Sequence, residues 1–71
     1  MKLAGTVEGY EVFYTPGIFG SPTIVVISYE GRPAKAGTLD KIGQAQTEGF
    51  GRVRRAAARL VHAAISDAVR A

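Results

Sequence analysis

Hydrophobic and polar positions alternate at the start of the chain, and the period changes further on. Leu3, Gly5 and Val7 fall on one side of the opening stretch, with Lys2, Thr6 and Glu8 on the other. After Gly9, Val12 and Tyr14 oppose Glu11 and Phe13. A period of two marks half-buried strands, and Gly9 between them suits a tight hairpin. The next segment, TPGIFGSP from Thr15 to Pro22, holds two prolines and two glycines and is expected to be a loop. Ile18 and Phe19 are apolar residues within it. They either fold back onto the core as a plug, the favoured reading, or protrude as a contact.

Thr23 to Tyr29, TIVVISY, is β-branched or aromatic almost throughout and is the strongest strand. It lacks polar alternation, which implies a central strand with both faces partly covered. Glu30-Gly31-Arg32-Pro33 reads as a turn. Pro33 excludes a standard inner strand beyond it and leaves room for a short edge segment around Ala34 to Ala36. The expected sheet is antiparallel, with three strands or, counting that edge, four.

From Leu39 the period becomes helical. With Phe50 set at zero and 100° per residue, Leu39, Gly43, Gln46, Val53, Ala57, Val61, Ala64 and Ala68 fall within about 60° of it. The phase holds without a slip, which predicts one amphipathic helix of about 30 residues, roughly 45 Å long. Thr38 is its expected N-cap. Gly43, Gly49 and Gly51 oppose this reading at about 1 kcal/mol each relative to alanine, so two helices broken near Gly49 are the alternative. A helix of that length would outreach a small sheet, and its end should project. The predicted class is therefore α+β: a three- or four-stranded antiparallel sheet followed by one long C-terminal amphipathic helix.

Composition narrows the picture. The 71 residues make a single domain, 1–71, near the lower size limit for independent folding. Chains this small usually add disulfides, a metal or a partner. There is no cysteine, and His62 is the only histidine, so neither disulfides nor a structural metal is expected. Self-association, most simply as a dimer, remains. No apolar run approaches the roughly 20 residues of a membrane span, and no signal-like segment opens the chain. A cytoplasmic protein without a membrane partner is the expectation.

The formal net charge of +3 is unevenly spread. Residues 1–30 carry one basic and three acidic residues, whereas 31–71 carry eight basic and three acidic ones. Arg52, Arg55 and Arg59 repeat at three and four positions and share a helix face, with Lys41 and Arg70 on the same line in projection. Arg54 lies about 40° from the apolar centre, where its stem can snorkel. Arg32 and Lys35 can widen the patch from the preceding loop. Planar guanidinium forks suit phosphate oxygens and carboxylates.

Catalytic chemistry finds no support. His62 and Ser66 are four apart on an alanine-rich helix, without a third member. Gly49-Phe50-Gly51 lacks the rest of a dinucleotide fingerprint. No cofactor, catalytic residue or metal ligand is expected. The leading expectation is a small basic nucleic-acid-binding or regulatory protein that sets its arginine-rich helix face against phosphates. The alternative is a non-catalytic homo-oligomeric module, or one that binds an acidic protein. Its contacts would come from Ile18, Phe19, Ile65 and Val69.

Overall fold

The computed structural model describes residues 1–44 and 51–70. Four strands, β1 (Lys2–Val7), β2 (Tyr10–Thr15), β3 (Ile24–Tyr29) and β4 (Arg32–Thr38), are followed by helices α1 (Leu39–Gln44) and α2 (Gly51–Arg70). The strands form an antiparallel meander in the order β1-β2-β3-β4. Each strand therefore lies beside its neighbour in sequence.

Two of the connections are two-residue hairpin loops. Val7 pairs with Tyr10 around Glu8-Gly9, and Tyr29 with Arg32 around Glu30-Gly31. In both loops the two residues have positive φ, 49° and 85° in the first, 52° and 78° in the second. This is the backbone of a type I′ turn, whose twist matches that of the strands it joins. Glycine fills the second position without strain. Glutamate at the first is an uncommon occupant of the left-handed region.

The alternation read in β1 is broken. A bulge lies between Leu3 and Gly5. It turns Leu3 onto the outer face opposite Phe13 and brings Ala4 to the core. In β4, Pro33 pairs with Ser28 next to an irregularity in register. An edge strand at a bulge is where a residue lacking an N–H costs least, so a full seven-residue strand forms there.

The inner face of the sheet carries Val12, Tyr14, Val25 and Ile27, all buried. Against them pack Ile42 from α1 and Val53, Ala57 and Val61 from α2, spaced at four residues along one helix face. Full burial of each large aliphatic side chain contributes about 1.5–3 kcal/mol. On the outer face a row of Leu3, Phe13, Val26 and Ala36 crosses all four strands in register.

The single helix expected from Leu39 is two helices. A straight helix would hold Gln44 and Gly51 about 10 Å apart on one axis. Instead α1 and α2 lie against each other. Helical phase survives because both helices turn an apolar side to the same core. Gln46, Gly49 and Phe50, with the break near Gly49 given as the alternative, lie outside the described residues.

The direction of α2 follows from two contacts. Arg52 reaches Glu8 in the β1–β2 turn, and Leu60 lies over Gly5. The helix thus runs antiparallel to β1. Its 20 residues span about 30 Å, against about 20 Å for a six-residue strand. Ala68 lies on the core-facing side of α2 yet is exposed, as expected for a last turn that passes the end of the sheet. No described helix is long and apolar enough to cross a membrane.

Candidate functional site

Helix α2 is built for two environments. Alanine and valine on one side allow close approach to the sheet, while Arg52, Arg55 and Arg59 lie opposite and are exposed. Arg52, Arg55 and Arg59 thus share one exposed face of α2, but they differ. The Arg52 guanidinium donates to Glu8 Oε1 at 2.9 Å, and the pair is open to solvent. An exposed ion pair of this kind contributes about 0.2–1 kcal/mol and weakens with salt. Arg55 and Arg59 stand further along the same face.

Arg54 departs from the ridge. Only 5% of its surface is exposed, so it is buried rather than snorkelling to solvent. It lines a cavity of about 240 Å³ together with Lys35, Ala36 and Gly37 of β4 and Lys41 and Ile42 of α1. Its lining thus includes one basic residue from each of three elements. Lys41, which projection placed on the ridge, belongs to this cavity because α1 is a separate helix. Arg32 stays apart at the start of β4, beside the Glu30-Gly31 turn, and is exposed.

The residues expected to touch a partner divide in the same way. Ile65 is partly buried against the core. Ile18, Phe19 and Val69 are exposed. The β2–β3 loop is closed by the Gly17 N–H donating to Thr23 Oγ1 and the Ser21 N–H donating to the Ile18 carbonyl oxygen. A Cβ on Gly17 would collide with the Ser21 carbonyl oxygen, so this closure requires glycine. Between Ile18 and Ser21, Phe19 and Gly20 have φ of 50° and 84°. This third positive-φ pair carries the phenyl ring fully into solvent, and the loop protrudes instead of plugging the core.

Strand register and the direction of α2 place Met1, Leu3, Ile18, Phe19, Ile24 and Val69 at one end of the sheet. All six are exposed. Leu3, Met1 and Ile24 were missing from the sequence reading, because the bulge in β1 and the projection of α2 leave no signal in residue periodicity.

His62 and Ser66 are both exposed on α2. Among the described residues, no three His, Cys, Asp or Glu side chains gather where they could hold a metal ion. No protein-family model, curated protein sequence or solved structure matches this chain.

Proposed function

We propose that this protein binds nucleic acid through the solvent-facing ridge of α2, as a small non-catalytic module. The observation that carries the reading is that Arg55 and Arg59 are exposed along the ridge, on a rigid helix backed by the core. Such a ridge meets phosphate oxygens without ordering new backbone, and counterion release supplies the affinity. Arg52 joins it when phosphate displaces Glu8. Contacts of this type position a polymer but do not read its sequence.

The test is titration of labelled duplex DNA, single-stranded DNA and duplex RNA across a salt series, with wild type and the Arg55→Gln/Arg59→Gln variant. Affinity should fall steeply with salt. The double variant should flatten the duplex-DNA slope of log K against log salt by about 1.8, from about 0.9 per phosphate contact. Absence of binding at low salt would eliminate this function.

A second reading, self-association, draws on the apolar end of the sheet. Six large exposed apolar residues at one end of so small a domain exceed the scattered singles of an ordinary surface. A second copy of the chain is the simplest occupant, with the projecting turn of α2 and the Phe19 loop in the contact. Sedimentation at several protein concentrations tests this directly: a monomer throughout would dismiss it.

A further inference from the structure

We propose that the outer face of the sheet is the contact surface for a second copy of this chain, packed sheet on sheet about a two-fold axis that runs along the strands between β2 and β3. This rests on the self-association reading above and moves the centre of the contact from the apolar end to the face that adjoins it.

Residue pattern points to the face. Both helices pack on the inner side, where Val12, Tyr14, Val25 and Ile27 are buried. An antiparallel sheet with its other side in water alternates apolar with polar residues. β3 does not, because Ile24 and Val26 flank the buried Val25 and belong to the outer side. The middle row of that side is Leu3, Phe13, Val26 and Ala36. Leu3, Ile24 and Ala36 are exposed. Charge avoids this side of the sheet. The basic residues of the strands, Lys2, Arg32 and Lys35, pair with Tyr14, Tyr29 and Ile27 and so belong to the inner side. Glu11, toward the two hairpin turns, is the one charged strand residue in register with the outer rows. Depletion of charge marks the core of an interface, and a face without cations does not suit nucleic acid.

Side-chain size selects a second copy and its orientation. Leu3 and Phe13 lie on β1 and β2, Val26 and Ala36 on β3 and β4. A two-fold axis along the strands sets β1 of one copy over β4 of the other. Leu3 then meets Ala36 of the second copy, and Phe13 meets Val26. Each pair sets large against small, as two interdigitating layers about 10 Å apart require. An axis along the row would instead stack each of the four residues on itself. The β2–β3 loop joins the two central strands, so the chosen axis also brings the two Phe19 loops side by side. The α2 helices lie on the two outer sides of such a dimer, and both arginine ridges stay free.

The area is sufficient once the loop is included. Strands of six residues, about 4.8 Å apart, give a face of about 19 by 20 Å. Two such faces in contact cover roughly 760 Å² before side-chain relief is counted. Stable dimers bury about 1,200–2,000 Å² in total. The two Phe19 side chains, fully exposed in the single chain, add about 300–500 Å² and bring the contact to the lower end of that range. A dissociation constant of about 1–100 μM is expected for a contact of this size.

The test is sedimentation equilibrium of the whole chain across a wide concentration range, for wild type, Leu3→Lys, Ala36→Glu, an equimolar mixture of those two variants, and Val69→Asp. All three positions are exposed, and circular dichroism with a melting curve checks that each variant folds. Wild type should dimerise. Leu3→Lys and Ala36→Glu should each weaken the dimer about tenfold or more, since each sets two unpaired charges in the contact. The mixture should recover association, because the introduced lysine of one copy then meets the introduced glutamate of the other. Val69→Asp lies outside the contact and should leave the dimer intact. A dimer that survives Ala36→Glu and is lost with Val69→Asp would overturn the face and leave self-association through the apolar end standing. Variants that fail to recover on mixing would overturn the axis, and the proposal with it. A wild-type monomer at every concentration would overturn both readings and leave the face to a different partner.

Discussion

Replacing Glu30 by asparagine should stabilise the protein, and the corresponding change at Glu8 should help less. Both glutamates occupy the first position of a two-residue turn, at φ of 52° and 49°. The left-handed region costs an ordinary L-residue about 1–2 kcal/mol, and asparagine a good deal less. Glu30→Asn should therefore gain about 0.5–1 kcal/mol, since no ion pair holds the residue it replaces among the described contacts. In a domain of this size that raises the melting temperature by about 2–8 °C. Glu8→Asn gains the same backbone term but loses the 2.9 Å pair with Arg52. That loss is about 0.2–1 kcal/mol, so the two nearly cancel. Urea and thermal denaturation of both variants, repeated in an Arg52→Ala background, make the comparison. In that background the two asparagine variants should gain equally, and added salt should bring the two single variants together. A neutral or destabilised Glu30→Asn with unchanged m-value would refute the strain argument. Equal gains in the presence of Arg52 would refute the ion-pair term.

Three further outcomes are expected. Glu8→Gln releases Arg52, so duplex affinity should rise and the salt slope should steepen by up to about 0.9; fluorescence anisotropy at several salt concentrations reads both. Gly5→Ala places a Cβ 3.2 Å from Leu60 Cδ2, tighter than normal packing, and should cost about 1–3 kcal/mol in a denaturation curve. Leu60→Val in the same chain should recover part of it. Phe19→Asn relieves a positive-φ aromatic residue and removes an apolar tip, so melting temperature should rise while any self-association seen by sedimentation falls.

The sequence revealed strands whose side chains announce them and hid those held by their neighbours. Ile24 to Tyr29 is β-branched enough to be unmistakable. The segment Pro33-Ala-Lys-Ala-Gly has little strand preference of its own, and becomes β4 because β3 offers it a full ladder. The helical region kept its phase across two helices, since period records which side is apolar and not whether the axis turns. The same blindness explains the basic residues. Spacing found Arg52, Arg55 and Arg59 as a ridge and identified Arg54 as standing off it. That Arg54, Lys35 and Lys41 line one cavity depends on α1 lying beside α2, which no local rule contains.

The element order has a consequence for synthesis on the ribosome. The sheet is complete once residue 38 is free, and hairpins close within about 1–10 μs. Its cover arrives much later. Val53, Ala57 and Val61 must follow, and at about 5–20 residues per second this takes roughly one to five seconds. For that interval a finished meander presents Val12, Tyr14, Val25 and Ile27 to solvent, with only Ile42 of α1 arriving before α2. The nascent chain is thus most prone to capture by a chaperone, or by a neighbouring nascent copy, between the emergence of β4 and that of the third turn of α2. A translational pause in this window should lower the yield of folded protein more than the same pause placed before β3.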